Sequence, residues 1–346
     1  MAEDAVITLK DIAKEVGVSI SSVSLVLNDR DSGRVKPEIA DRIRKAAEEK
    51  GYASNLVARG LKTRQTHTLG LLSDQVATIP FAGEMLAGAQ VAAWEEGFLL
   101  LLIDTAGDRE LERPATVALL QRHVEGLIFA SKFHREMELP RVSTPIPVVL
   151  LDGRPKDPDA AIDWVVPDET GGAYTATRHL IEAGHRRIAF LTIESPVFVA
   201  RELRLSGYTR ALTEAGIPVD PALIVSAAEP STVAGREPAE RLLERPDRPT
   251  AVFCFSDQLA FSLYQAAHRL GLEIPRDVSV VGFDNQQFVA NSLQPGLTTV
   301  QLPHSAMGAW AARRAIARLR GVQTPAQEHC LMPCPLVERT SVARLT

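Results

Sequence analysis

Residues 8–28 read TLKDIAKEVGVSISSVSLVLN. Leu9, Ile12, Ala13 and Val16 recur at i, i+3, i+4 and i+7, one face of a helix. Thr8 and Asp11 stand three apart, a capping box with Asp in place of the usual Glu or Gln. A helix is therefore expected over Leu9–Val16. Gly17 ends it, since glycine alone takes a positive φ without strain. Ser19 is placed to cap a second helix, which buries Val23, Val26 and Leu27. Small Ala13 lets the two helices approach, Gly17 makes the turn, and Val23 and Val26 pack one helix on the other. Each offset has its own steric reason, and together they are the signature of a helix-turn-helix. For this segment taken alone, a helical hairpin in an ordinary core is the competing reading.

A third helix is expected over Pro37–Lys50. Proline suits its first position; Ile39, Ile43, Ala46 and Ala47 form its buried stripe; Gly51 closes it, and Tyr52 packs back. Residues 55–68 read NLVARGLKTRQTHT. Asn55 to Lys62 spans two helical turns, but Gly60 weakens that helix by about 1 kcal/mol relative to Ala. So short a helix is marginal in water, so it forms only when DNA and a partner chain hold it. Leu56, Val57 and Leu61 lie to one side, and Arg59, Lys62 and Arg64 supply charge. A plain linker is the alternative, and three large aliphatic side chains are odd in one.

The whole chain sets limits on this reading. Its 346 residues allow two or three compact units at about 100–200 residues each. A 45% apolar, 23% charged composition belongs to an ordered soluble protein. No run approaches the length of a membrane-spanning helix. The opening MAEDAVITLK is acidic without an apolar core, so a cytoplasmic location is expected. Cys254, Cys330 and Cys334 are odd in number and sparse, which fits a reducing compartment. The net charge of −5 hides an asymmetry: residues 1–65 carry 12 basic and 10 acidic side chains, the remainder 26 and 33. An acidic body repels nucleic acid, so contact with DNA is confined to the N-terminal arm.

From Leu69 the pattern changes. Apolar runs at 69–73, 99–104, 126–130, 147–152, 187–192, 251–257 and 278–284 alternate with helical stretches at about 83–97, 111–123, 169–184, 203–216, 235–245 and 257–271. Unbroken apolar strands are buried on both faces, as in a parallel sheet covered by helices, and the alternation implies a doubly wound α/β fold. Ligands of such sheets sit at the carboxyl ends of strands. Here Ser73, Ser131, Asp152, Ser256–Asp257 and Asp284 end strands. Each alone reads as well as a helix cap, Ser73 and Asp257 in particular.

Other chemistries find little support. The chain has no dinucleotide or phosphate-binding glycine loop and no nucleophile elbow. His185 sits between a helix and a strand, where a structural role outweighs a general base. His329, Cys330 and Cys334 lack a fourth ligand for zinc. No cofactor or metal is expected. Asp152 and Asp284 form a conceivable acid/base pair, but no feature supports turnover.

The ordered set ITLKDIAKEVGVS, the third helix ending in GY, NLVARGLK and the later blocks resembles the LacI/GalR family over essentially the whole chain. The resemblance implies an all-α helix-turn-helix headpiece (1–54), a hinge (55–66), and an α/β two-lobed effector domain (67–346) like a type I periplasmic binding protein, with parallel sheets. Carried over, lobe 1 is 67–164 and 295–322, and lobe 2 is 165–294 and 323–346. It implies a homodimeric repressor on double-stranded, pseudo-palindromic operator DNA, with the second helix in the major groove. Two hinge helices enter the minor groove, where Leu61, beside Ala58, wedges a base step.

Base-reading positions fall on Ile20, Ser21 and Leu25. The last is often basic or polar in relatives, so this operator is its own. Ser19, Ser22 and Ser24 are phosphate contacts or caps, and Thr8, Asn28, Asn55, Arg59 and Lys62 complete the implied DNA set. The implied effector contacts are Phe81, Asp152, Phe198, Arg204, Ser256 and Asp284, with Ser131 a lesser candidate. Arg204 lies in RLSGY and Asp284 in GFDN. SAAEPST lacks the family's stacking aromatic, and Phe198 stands where purine-binding relatives place an arginine. A sugar or sugar derivative is therefore the expected effector. The competing classes are a solute-binding protein, against which the attached headpiece argues, and a sugar-converting enzyme, which would need turnover that no sequence feature supports.

Overall fold

Gly17 adopts φ +74° and ends the first helix where its steric role demands. The computed structural model describes residues 7–28, 30–52, 65–79, 82–138, 142–321 and 327–345, and the chain divides at residue 66 into two units. In the first unit, α1 (Leu9–Val16), α2 (Ile20–Val26) and α3 (Pro37–Glu49) share a core of Ile12, Val23, Val26 and Ile43, with Tyr52 packed against it. The Asp11 carboxylate accepts from the Thr8 amide and hydroxyl at 2.9 and 2.6 Å, tying the cap to the first turn. Arg42 of α3 donates to the Val16 carbonyl at 3.1 Å, a cation at the negative end of the α1 dipole. The expected hinge, with Asn55, Ala58, Arg59, Leu61 and Lys62, lies outside the described residues.

The second unit alternates strands and helices in two sheets. Its first half runs β1 (Thr68–Ser73), α4 (Gly83–Glu95), β2 (Leu99–Asp104), α5 (Arg109–Gln121), β3 (Gly126–Met137), β4 (Val148–Pro155) and β5 (Asp163–Pro167). The second half continues α6 (Glu169–Glu182), β6 (Ile188–Ile193), α7 (Val199–Glu214), β7 (Ile224–Ala227), α8 (Arg236–Leu243), β8 (Ala251–Cys254), α9 (Asp257–Arg269) and β9 (Ser279–Asp284). Then come α10 (Gln287–Ala290), β10 (Thr298–Gln301), α11 (His304–Leu319), β11 (His329–Met332) and β12 (Leu336–Val337). The sheets have the orders β11-β5-β4-β3-β1-β2 and β12-β10-β9-β8-β6-β7. The pairings are parallel apart from β10 with β12. Each sheet anchors its own buried core, one around Leu71, Ile128 and Val149, the other around Phe190, Phe253 and Phe283.

The lobe limits differ from the expected ones. β5 runs on to Pro167 in the first sheet, β10 pairs parallel with β9 in the second, and β11 pairs parallel with β5 in the first. The chain therefore changes lobe after Pro167, Gln301 and Met332. Strands as short as β10 and β11 carry no periodicity that names their partner. A buried ion cluster fixes β11 instead. Asp163 accepts from Arg314 at 3.0 Å, Arg318 at 2.8 Å and the Glu328 amide at 2.7 Å, joining β5, α11 and the approach to β11. Burial opposes the charge on Asp163, but the two arginines outweigh it and hold the carboxyl below the usual range.

α4 and α11 cross at Gly88 and Gly308. A Cβ on Gly88 would collide with the Ser305 carbonyl, and one on Gly308 with the Met85 carbonyl. Backbone cannot yield as a side-chain end can. Gly308→Ala is expected to cost about 1–3 kcal/mol, read as a lowered urea midpoint. An unchanged midpoint would show that the helices separate freely.

Candidate ligand cleft and DNA-reading helix

The two sheets present the carboxyl ends of their strands to one another across a cavity of about 650 Å³. Arg204, from the first turns of α7, is 3% exposed on its wall. Its Nε donates to Glu169 Oε2 at 2.7 Å, its Nη1 to the Phe255 carbonyl, and Asp284 lies at 3.5 Å. Its guanidinium carbon is 4.3 Å from the centre of the Phe255 ring and 3.6 Å from that of Phe283. A planar, permanently charged fork suits this combination of stacking and hydrogen bonding. Glu169 is the first residue of α6, a place the helix dipole favours for an anion.

Two cleft carboxylates sit on unusual backbone. Asp152 has φ +57° and Asp284 φ +106°, followed by Asn285 at +52°. Positive φ at a residue other than glycine is uncommon, though Asp and Asn tolerate it best. Asp257 braces the second turn by accepting from the Gln286 amide at 2.7 Å and the Thr299 hydroxyl at 2.5 Å. Burial pushes the Asp284 carboxyl up, to about 7, against the pull of Arg204. Asp152 is pushed well above the carboxylate range by burial, with Glu169 adding repulsion. An aromatic wall completes the cleft: Phe133 and Phe198 lie 4.4 Å apart between centroids, and Phe255 meets Phe198 edge-on.

Of the residues singled out from sequence, Asp152, Phe198, Arg204, Ser256 and Asp284 line this cavity. Ser256 Oγ also caps α9, accepting from the Leu259 amide at 3.3 Å, which leaves its own hydrogen to donate. Phe81 lies outside the described residues. Ser131 does not line the cavity: it is fully buried and accepts from Arg135 Nε at 3.0 Å. The pairing of β3 with β4 slips between Ala130 and Arg135, and it is Lys132, Phe133 and His134 from this stretch that line the cleft. Sequence reasoning missed these three and Glu169. No local period marks a bulge, and an acid at a helix start reads as an ordinary cap.

His185 is structural. Its ring nitrogens meet Thr250 Oγ1 at 3.0 Å and the Ala343 carbonyl at 3.2 Å. His329 stacks on Trp164 at 4.6 Å, and among the described residues no group of His, Cys, Asp or Glu is placed to hold a metal.

On α2, Ile20 is 49% exposed and Ser21 is exposed, while Leu25 is half-buried. Ser19 caps the helix, accepting from the Ser22 amide at 3.0 Å, and its hydroxyl lies 2.9 Å from that of Ser22. Asn28 donates to the Ser24 carbonyl at 2.7 Å. The side chains most available to a groove are thus Ile20 and Ser21.

Residues 8–55 match the model of the bacterial regulatory proteins of the lacI family, and residues 177–342 match that of a periplasmic binding protein-like domain. The HTH-type transcriptional regulator DegA of Bacillus subtilis is 34% identical over 344 residues, 98% of each chain. The chain belongs to the lacI family. The ribose operon repressor of Escherichia coli K12 is 34% identical to this lacI-family protein over 338 residues, 96% of this chain and 99% of the relative. A solved complex of the transcriptional regulator CelR with cellobiose matches it with a TM-score of 0.66 at 30% identity, over 97% of this chain and 99% of that one. These relatives are regulators rather than enzymes.

Proposed function

We propose that this lacI-family regulator binds a pseudo-palindromic operator as a homodimer, and that a small polar molecule in the cleft sets its affinity for DNA. The observation that carries the reading is one chain joining a helix-turn-helix to a cavity walled by fixed charges. A ligand that binds one arrangement of the lobes better than the other shifts the regulator between them, and by no more than that difference in affinity. Asp152, Phe198, Arg204, Ser256 and Asp284 are its assigned contacts. The name of the ribose operon repressor and the cellobiose in the CelR complex support a carbohydrate. We read the cleft as binding without turnover, in a cytoplasmic protein; none of the described helices is long and apolar enough to cross a membrane.

Ile20 offers apolar contact, as with a thymine methyl, and Ser21 a single hydroxyl. So spare a reading head needs two half-sites. The second copy fits against lobe 1, where edge strand β2 exposes Leu99 and Leu102 beside Val91 and Trp94 of α4. Leu61 is assigned the minor-groove wedge.

A gel shift with the DNA upstream of the regulated genes, with and without ribose or cellobiose, tests this reading. Failure to retard any such fragment would sink it. In the same assay, Leu61→Ala is expected to lose about tenfold or more in operator affinity, the worth of a base-step wedge, and much less on random DNA. Equal losses on both would remove Leu61 from the groove.

A further inference from the structure

Buried polar atoms in proteins find partners, and an unmet one marks a place where something else is meant to bind. The cleft holds two such residues. His134 is 3% exposed and Asp152 2% exposed; both line the cavity. Both ring nitrogens of His134 and Oδ1 of Asp152 lack a hydrogen-bond partner. His134 reaches the wall because β3 slips against β4 between Ala130 and Arg135.

The charges on the wall restrict what can fill the gap. Glu84, Glu169 and Asp284 face Lys132 and Arg204, while burial opposes the charge on Asp152. Arg204 is already committed to Glu169 and Asp284, and Lys132 donates to Gln75 at 2.6 Å. A phosphate or carboxylate would thus meet one ammonium, already donating to Gln75, against the Glu84 and Glu169 carboxylates. Burial, with Arg154 and Arg204 close by, pushes the His134 ring down to about 3, so the imidazole is neutral and offers one donor and one acceptor.

Resting on the function proposed above, we infer that His134 is an effector-binding residue that works with Asp152. The pair takes hydroxyls of an uncharged sugar, and the site rejects the corresponding phosphate esters. The unliganded protein bears the cost of leaving the imidazole unmet, and the sugar removes it. This predicts opposite effects on stability and on binding, which a merely structural histidine would not show.

The test uses the full chain in calorimetry, with ribose, glucose and cellobiose beside ribose 5-phosphate and glucose 6-phosphate. An uncharged sugar is expected to bind more tightly than its ester. His134→Leu, close in volume, is expected to weaken that sugar about tenfold, one lost hydrogen bond with an unpaired partner left behind, while the unliganded Tm stays level or rises. His134→Gln, which keeps a donor and an acceptor, is expected to retain most of the affinity. Asp152→Asn tests the second partner on a backbone that Asn also tolerates. The inference is overturned by an ester binding more tightly than its parent sugar, by no sugar binding, or by His134→Leu leaving affinity unchanged. It is also overturned if that variant lowers the Tm. Operator retardation in the gel shift judges the regulator reading separately, whatever the cleft prefers.

Discussion

Arg204→Ala is expected to remove both the effector response and about 3–5 kcal/mol of stability, the cost of stranding a buried charge by deleting its partner. Glu169, 2% exposed, loses the Nε donor at 2.7 Å, and the Phe255 carbonyl loses its own donor. Two aromatic rings also lose the cation between them. Asp284, whose carboxyl Arg204 now restrains from rising further, should then be protonated at neutral pH. Arg204→Lys keeps the charge but loses the fork and the stack, so it should recover part of the stability and little of the binding. Urea unfolding followed by sugar titration measures both. A stable Ala variant with normal sugar affinity would show that Glu169 finds another partner and that Arg204 is not a ligand contact.

Much of this was legible in the residues because it depends on local sterics. Gly17, Ala13, Val23 and Val26 specify the headpiece through a turn and a close approach that tolerate few alternatives. The long apolar runs of β1, β3, β4, β6, β8 and β9 declare buried strands directly; the equally apolar run of β2 was expected to be buried too, but it forms a sheet edge with no buried residue. What was hidden depends on partners distant in sequence. β11 joins the first sheet through contacts with β5, held by Asp163, Arg314 and Arg318. In the cleft, strand-end acids could be named because the α/β architecture puts ligands there. His134 could not, since a slip between neighbouring strands decides whether it or Ser131 faces the cavity.

Trp94→Glu is expected to leave a folded monomer with severely weakened operator binding. Trp94 is 70% exposed on α4, so the change removes little from the protomer's own core. Val91, three residues earlier on α4, is 58% exposed, Leu99 and Leu102 of β2 are 48% and 38% exposed, and among the described residues β2 has β1 as its one strand neighbour in the sheet. An open edge with large apolar side chains invites pairing unless another surface covers it. A carboxylate at Trp94 would be buried unpaired in the proposed dimer but solvated in the monomer, so the equilibrium would shift toward the monomer. On the proposed reading, Ile20 and Ser21 contact a half-site with so few groups that affinity depends on two headpieces acting as one ligand. Linking two such modules strengthens binding by about 10²–10⁴-fold, and the variant should lose a factor of that size. Sedimentation velocity and gel shift on one preparation measure the two effects together. A dimer that persists with full operator affinity would place the partner on another face, and a monomer with full affinity would remove the need for two half-sites.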